Sequence, residues 1–384
     1  METRVKIYLL VLVLNYYNVV SQENGHKLFF SGYVKNLYEF SFADRLEQLN
    51  YDGLLNNRLN FKYNPSEEIT MRIELRNRIF FGNNVKNFSG FRDIVSRDNG
   101  WADLSRNLIN NEGILFNATI DRALINYTKG DWDITLGRQR VNWGMNVVWN
   151  PNDIFNTYNF MDFDYEERPG SDSFRAQYYL SDFDKLEVTV KKGSSKNDYI
   201  LATMYKFNKW SYDVQLIAAI NEEDWILGTG WAGNLKNAGF KGEISYFIPK
   251  ENYNEFEDVL SASISVDYAF KNGLYINGSA LYNTITDTNS GNFENLMYNM
   301  VTAKNLMPFD YSGFLQLSKE FSPIFSASMS AIYSPTNHSV ILIPSFDYSL
   351  ATDWALNFTG QSFFEFEDYK AIGTSLFIRL RWSF

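Results

Sequence analysis

The amino-acid sequence predicts an all-β fold, a single transmembrane antiparallel up-and-down β-barrel with both termini in the periplasm. Three observations predict it. From residue 27 onward, segments in which apolar and polar residues alternate follow one another, with Gly, Asn, Asp or Pro between them. Short turns and longer connections alternate along this series. The final segment is amphipathic and ends on an aromatic residue, Phe384.

The composition fits a barrel. Aromatic residues make up 17% of the chain, whereas the mean hydropathy is only -0.30. In a spanning strand only every second residue faces lipid, so a modest hydropathy accompanies aromatic residues at the two membrane interfaces. The absence of cysteine excludes disulfides and Cys-ligated metals, and no cofactor or metal is expected. A net charge of -10 argues against binding to nucleic acid.

The first 21 residues predict a cleaved signal peptide. Arg4 and Lys6 form a short positive region, an apolar run follows at residues 7–14, and small or modest side chains precede Gln22. The alternative is a buried N-terminal strand or helix. Residues 1–21 are therefore assigned to the signal peptide and residues 22–384 to the barrel.

About eighteen strands are predicted, an even number as closed bacterial barrels favour, and sixteen is the nearest alternative. They lie near 27–40, 53–63, 68–82, 113–128, 131–141, 171–181, 184–192, 198–208, 210–219, 223–234, 237–248, 258–271, 273–285, 309–319, 323–334, 338–350, 353–366 and 370–384. Tight turns follow the even-numbered strands. Long connections near 83–112, 142–170 and 286–308 follow odd-numbered ones, which makes them extracellular loops and places the barrel in the outer membrane of a Gram-negative bacterium.

Alternation in the third and last predicted strands separates a lipid face from a lumen face. Met71, Ile73 and Leu75 lie on the lipid face of the third strand. The charged residues lie on the opposite face and are predicted to line the lumen: Arg72, Glu74, Arg76, Arg78, Arg379 and Arg381. Mixed charges of this kind orient hydrated solutes and tune ion selectivity. The alternative is that they close the barrel through salt bridges.

One strand breaks the pattern. Within 131–141, Arg138 and Arg140 share the parity of the apolar residues Ile134 and Leu136. Either the two arginines lie above the bilayer, or a bulge at Gly137 reverses the alternation.

The most distinctive stretch reads GRQRVNWG at 137–144 and WNPNDIFN at 149–156. It resembles a GRQ-x-x-x-WG … NP-x-D-x-F pattern of porin-like outer-membrane proteins, including alginate-export-type and related eighteen-stranded channels. The resemblance covers about 20 residues, and it implies that this strand-and-loop unit faces inward. The chain departs from the alginate-export type in lacking an obviously Arg- and Lys-dominated lumen.

The same stretch has the composition of an infolded loop. Asn and Pro at 150–152 are turn-forming residues, and Trp143, Trp149 and Phe155 are placed to pack against the wall. An acidic run follows. The predicted constriction residues, with a preference for cations, are Arg138, Arg140, Asp153, Asp162, Glu166 and Glu167. The alternative is an ordered external loop whose charges are solvated.

The C-terminal segment alternates strictly and ends with Trp382 and Phe384. It resembles the insertion signal that the barrel-assembly machinery recognises in outer-membrane proteins. The resemblance implies that this machinery is a partner during insertion, and that outer-membrane lipid and lipopolysaccharide surround the finished barrel.

These features predict a porin-like channel for passive passage of small hydrophilic solutes or ions. The alternative is a closed barrel that serves as an accessory or scaffold subunit of a transport or assembly complex and meets a protein partner through its extracellular loops. An outer-membrane enzyme is the third reading. It is disfavoured because His26 and His338 are the only histidines and no catalytic motif occurs.

Overall fold

The computed structural model describes residues 27–43, 49–157, 168, 170–253, 257–284, 301–336, 338–365 and 370–384. The predicted signal peptide and the acidic residues Asp162, Glu166 and Glu167 lie outside the described residues. Among the described residues, no helix is long and apolar enough to cross a membrane.

The described strands form one antiparallel sheet that closes on itself. They are β1 (Leu28–Phe42), β2 (Asn50–Tyr63), β3 (Ile69–Gly82), β4 (Ser105–Asn110), β5 (Ile114–Lys129), β6 (Trp132–Gln139), β7 (Ser171–Tyr179), β8 (Lys185–Lys192), β9 (Tyr199–Lys209), β10 (Tyr212–Asn221), β11 (Asp224–Leu235), β12 (Ala238–Pro249), β13 (Val259–Ala269), β14 (Leu274–Asn283), β15 (Tyr311–Ser322), β16 (Phe325–Ser334), β17 (Ser339–Ala351), β18 (Trp354–Glu365) and β19 (Lys370–Ser383). Consecutive strands pair with each other, except that β3 pairs with β5 and β4 pairs with β5 alone, and β19 returns to pair with β1. The prediction of a closed eighteen-stranded up-and-down barrel is confirmed, with β4 as an additional short strand.

The connection between β3 and β5 contains the short helices α1 (Asn83–Asn87) and α2 (Phe91–Ser96) in addition to β4. A 3-10 turn, Glu251–Tyr253, follows β12. At the opposite end of the wall the turns are short. Between β5 and β6 the chain reverses through Gly130, whose φ of 55° lies in the left-handed region that glycine adopts without strain.

The outer face of the wall is apolar, and the inner face is largely polar, although beside β14–β18 buried apolar side chains also point inward. Leu216, Leu227 and Leu315 point outward and are exposed, as expected for side chains that meet lipid. Ser261, Asn277 and Gln361 point inward and are buried. This alternation agrees with the predicted faces of the third and last strands.

The register of β6 settles the two alternatives at Gly137. Strand β6 pairs with β7 without a register shift from Trp132 to Gln139. It pairs with β5 without a shift from Trp132 to Arg138, which lies opposite Ala123. The bulge predicted as one alternative is therefore wrong, and Arg138 keeps the outward parity of Leu136. The chain leaves the wall after Gln139, so Arg140 lies beyond the strand.

A bulge does occur in the neighbouring strand. The pairing of β3 with β5 shifts between Glu74 and Leu75, opposite Asp121. Asp121 and Arg122 are both buried as a result, although neighbouring residues of a regular strand point to opposite faces.

Candidate functional site

After β6 the chain turns into the barrel. We call residues 140–156 the infolded segment. Val141 and Trp143 are almost fully buried, and the backbone N–H of Val141 donates to Asn156 Oδ1 at 3.0 Å, which closes the two ends of the segment on each other. The sequence prediction that this stretch faces inward agrees with its position.

Glu243 on β12 holds the middle of the infolded segment. Its Oε1 accepts the backbone N–H groups of Met145 and Asn146, the latter at 2.7 Å, and its Oε2 accepts that of Asn152 at 2.9 Å. The Glu243 side chain is fully buried. Hydrogen bonds to a carboxylate are shorter and stronger than those between neutral groups, so this residue fixes the segment against the wall.

Glu187 on β8 holds the beginning of the segment. Its Oε1 accepts the indole N–H of Trp143 at 2.7 Å. The same carboxylate receives two hydrogen bonds from the guanidinium of Arg175, at 2.6 and 2.9 Å, and one from Gln177 at 2.9 Å. Because every oxygen of Glu187 is bonded and its charge is paired, its complete burial is tolerated.

Neutral side chains of β10, β12 and β13 complete the attachment. Gln215 Nε2 donates to the carbonyl of Trp143 at 2.7 Å, Ser245 Oγ to that of Pro151 at 2.9 Å, and Ser263 Oγ to that of Trp149 at 3.0 Å. These bonds pair backbone groups that would otherwise be buried without a partner.

An apolar cluster fills the remaining space on this side of the lumen. Trp149 packs against Phe314 with ring centroids 6.2 Å apart and lies in one cluster with Ile332 and Ile341. Leu306, Met307 and Phe309, which precede β15, belong to the same cluster. The lumen is therefore filled next to β8–β18.

A cavity of about 310 Å³ remains on the other side. Its lining is polar and consists of Thr70, Arg72, Glu74, Arg122, Leu124, Asn126, Asp133, Thr135, Gln139, Arg140 and Arg175. Four guanidinium groups face two carboxylates there. Two of these charged groups are ion-paired with residues outside the lining, Arg175 with Glu187 and Glu74 with Arg58.

Some of the predicted lumen residues line this cavity and others are paired within the wall. Arg72 and Glu74 line it. Arg76 is buried and bonded to Asp121 Oδ1 at 2.9 Å, whereas Arg78 donates to Asn117 Oδ1 at 2.8 Å and to the carbonyl of Val95 in α2 at 3.0 Å. The predicted alternative of charge pairing therefore holds for part of the third strand.

The last strand contributes differently. Arg381 lies with its guanidinium 4.5 Å from the centroid of the Tyr33 ring and donates to Ser383 Oγ at 3.2 Å. Arg379 occupies the next position of the same inward parity on β19. Trp382 stacks on Trp354 on the outer face, with centroids 6.1 Å apart.

Two of the predicted constriction residues, Arg140 and Asp153, lie near the two ends of the infolded segment. Asp153 is 1% exposed and forms an ion pair of 3.1 Å with Arg168. Burial raises the pKa of Asp153 to about 7, against the opposing effect of Arg168 and Arg140. Arg140 is exposed to the cavity and lies near Asp153, Arg168 and Arg122.

Arg138 lies elsewhere. Its guanidinium is bonded to Asp98 and Asp172, on the side of β6 opposite to the cavity-lining residues Thr135 and Gln139. A role in the constriction finds no support in this position.

Sequence reasoning missed several residues of the site. Arg58 is fully buried and bridges Asp121 and Glu74 at 2.5 Å each, although its alternation with Leu55 and Leu59 already indicated an inward face. Arg175 was similarly indicated by its parity with Gln177. Arg122 had no such signal, because the bulge beside it changes the parity of its strand.

A closed antiparallel barrel of eighteen strands with a chain segment folded into its lumen has the architecture of a porin-like protein. The solved structures that the fold resembles belong to such proteins. OccK5 (OpdH) of Pseudomonas aeruginosa matches with a TM-score of 0.61 and 6% identity over 93% of this chain and 98% of that one. OccAB4 of Acinetobacter baumannii matches with a TM-score of 0.60 and 11% identity over 94% and 99%.

A BenF-like porin from Pseudomonas fluorescens Pf-5 also matches, with a TM-score of 0.58 and 10% identity over 94% of this chain and 99% of that one. At these identities the likeness concerns the fold. No protein-family model matches the chain, and no curated protein matches its sequence.

Proposed function

We propose that this protein is an outer-membrane channel of a Gram-negative bacterium that conducts small hydrophilic solutes or ions passively. The observation that carries the proposal is the division of the lumen. The infolded segment and the apolar cluster occupy one side, whereas a charged cavity of about 310 Å³ remains on the other. A barrel that served only as a scaffold would have no need of a lumen narrowed on one side and charged on the other.

The cavity lining favours anionic solutes. Arg72, Arg122, Arg140 and Arg175 line the cavity together with Glu74 and Asp133, so guanidinium groups outnumber carboxylates in the lining even without Arg175, which is paired with Glu187. Fixed charges along a pore select permeating ions of the opposite sign. The cation preference expected from Asp162, Glu166 and Glu167 stays a prediction, because those residues lie outside the described part of the chain.

The resemblance of residues 137–156 to alginate-export-type channels points to a more specific solute for the same channel. Alginate is a polyanion, and the arginines of the cavity supply a cationic lining suited to such a solute. We keep the solute class broader, small and hydrophilic, because the resemblance extends over one strand and one loop.

We propose that the barrel-assembly machinery inserts this protein by recognising its C-terminal strand. The backbone of Phe384 exchanges two hydrogen bonds with Gly32 of β1, at 2.9 and 3.0 Å, so the last residue takes part in closing the barrel. Trp382 and Phe384 lie on the outer face with ring centroids 5.1 Å apart, where lipid and lipopolysaccharide are their expected surroundings.

Conductance of the refolded mature chain in a planar bilayer tests the channel. We expect stable single-channel conductance steps. In a salt gradient we expect a reversal potential that is shifted toward the equilibrium potential of the anion. A correctly folded barrel that conducts nothing would overturn the proposal and favour the accessory or scaffold alternative. Reversing the charges of Asp162, Glu166 and Glu167 together tests the cation prediction, which an unchanged reversal potential would contradict.

A further inference from the structure

We propose that residues 98–110 form a releasable section of the barrel wall, which Arg138 holds in place. We call these residues the strap. The proposal concerns the wall and does not require that the lumen conduct.

The wall has a gap beside β5. This strand spans Ile114–Lys129, and β3 pairs with it over almost its whole length. On its other edge β6 pairs only from Ala123 to Lys129, because the chain enters the lumen after Gln139. Residues 115–119 would therefore have unpaired backbone groups on that edge, and a free edge of this kind exposes hydrogen-bonding groups that lipid cannot satisfy.

The strap fills the gap. Strand β4 pairs with residues 115–119 of β5, with Arg106 opposite Ala118. At its other end, Gly100 forms an isolated β-bridge with Gly193, directly after β8. The strap thus spans from β5 to β8, above the short strands β6 and β7.

Arg138 ties the strap to the wall. Its Nη1 lies 2.6 Å from Asp98 Oδ2 and its Nη2 donates to the carbonyl of Ala102 at 2.6 Å, both in the strap. Its Nε and Nη2 also bind Asp172 of β7, at 2.7 and 2.9 Å. The side chain of Arg138 is 5% exposed, so a charge on the outer face of the wall is enclosed by its partners.

The strap comes so close to this ion cluster at Gly100 that any larger residue there would displace the guanidinium of Arg138. A Cβ there would lie 1.9 Å from Arg138 Nη2 and 2.6 Å from Asp172 Oδ2. On the opposite surface of the strap Trp101 and Leu108 are 72% and 60% exposed. The strap therefore has a side that is buried against the ion cluster and an outer side on which apolar residues lie beside the exposed pair Arg106 and Asp103.

The attachment of the strap is weaker than that of the spanning strands. Strand β4 pairs along one edge only, and its register shifts between Asn107 and Ile109. Segments with few hydrogen bonds open at lower free energy than the rest of a structure. Side-chain hydrogen bonds of Ser105 with Thr119 and of Asn107 with Asn117 attach the strap to β5, and the cluster around Arg138 attaches it to β6 and β7.

Hydrogen exchange of the β4 amides in the refolded full barrel tests the proposal. In Arg138→Gln, two carboxylates lose their partner, and we expect these amides to exchange on the order of 100-fold faster than in the wild type. Arg106→Gln is the matched control. Arg106 lies in the strap with 76% of its side chain exposed and a 4.0 Å contact to Asp103, so its replacement should leave exchange unchanged. Wild-type exchange of β4 in folded Arg138→Gln would overturn the proposal.

A second variant distinguishes local release of the strap from general misfolding of Arg138→Gln. Asp98→Asn keeps the bonds of Arg138 to Asp172 and to the carbonyl of Ala102 and removes its ion pair with the strap, so the increase in exchange should be smaller than in Arg138→Gln and confined to the strap. Since the chain contains no cysteine, Arg106→Cys with Ala118→Cys provides a disulfide across directly paired residues. Added to Arg138→Gln, this disulfide should restore slow exchange, and a reductant should abolish it. Fast exchange that persists in the oxidised form would contradict the proposal.

Conductance separates this proposal from the channel function. Fast exchange of β4 in a barrel that conducts nothing would support the strap and overturn the channel. In a conducting barrel, Arg138→Gln should add current fluctuations that the disulfide removes.

Discussion

The two sides of the lumen differ in what the wall presents to the interior. Next to β8–β18 the wall offers serines, a glutamine, two fully buried carboxylates and apolar side chains, and these contact the infolded segment. Next to β2–β7 it offers arginines and carboxylates around a cavity. Neutral and apolar groups pack against a chain segment at low cost, because few charges must be desolvated.

The charged side remains open for the same reason. Guanidinium groups such as those of Arg72 and Arg140 would lose their hydration if a segment packed on them, whereas Arg58, which is buried on this side, is paired with Asp121. The comparison indicates that the two sides differ in how much charge a packed segment would have to desolvate. The predictions below alter one side or the other.

The largest effect is expected on the filled side, for Glu243→Gln. The amide cannot accept all three backbone N–H groups and directs its own N–H₂ at one of them. The free energy of unfolding should fall by about 3 kcal/mol, measured by thermal unfolding in detergent. Single-channel conductance should rise as the segment loosens. Glu223→Gln, at an exposed loop position, is the control, and equal stability of the two variants would contradict the role of Glu243.

The stability of the protein should depend on pH through Asp153, which lies between the filled side and the open side of the lumen. Its pKa is about 7 in the folded chain, against an ordinary 3.8, so the folded state holds a proton that the unfolded chain has released. Stability is therefore expected to fall as pH rises from about 4 to about 7, by at most about 1.4 kcal/mol per pH unit.

Asp153→Asn isolates this contribution, since the amide resembles the protonated acid and the two histidines are unchanged. The difference in unfolding free energy between wild type and variant should vary across that pH range and level off above it. A difference that is independent of pH would show that Asp153 does not titrate there.

A smaller loss is expected for Ser263→Ala on the filled side. The hydroxyl donates to the carbonyl of Trp149 at 3.0 Å and accepts from the side chain of Asn146. Its removal should cost about 1 kcal/mol in thermal unfolding. Ser326→Ala, on β16 away from the infolded segment, should have no such cost, and an equal loss at both positions would argue against the attachment.

The smallest effect is expected on the open side, for Arg140→Gln. One charge about 5 Å from a permeating ion in a water-filled lumen changes the free energy of that ion by less than about 1 kcal/mol. The anion permeability should therefore fall by at most about fourfold, and the cation permeability should rise by a comparable factor. Reversal potentials in a salt gradient measure the ratio of anion to cation permeability. Lys209→Gln, in an exposed turn beside Trp210, provides the control. An unchanged ratio in Arg140→Gln would remove this residue from the conducting path.

The alternation of apolar and polar residues along the sequence predicted much of the barrel wall. Alternation placed Arg72 and Glu74 on the inner face and Met71 and Ile73 on the outer face, because the two faces of a strand meet different solvents. The infolded segment was also predicted, from turn residues and the tryptophans at 143 and 149. Pattern failed for Arg122, where the bulge opposite the bond between Glu74 and Leu75 reverses the parity.

The sequence by itself determined the closed barrel, its approximate strand number and the two faces of its strands, since these follow from the period of two that every spanning strand must obey. Tertiary structure decided which charges are paired and which are free. Arg138 and Arg140 are two residues apart in one motif, yet one is enclosed by Asp98 and Asp172 and the other is exposed in the cavity. The partners of Arg138 lie 40 residues before it and 34 residues after it, and the folding of the barrel brings them together.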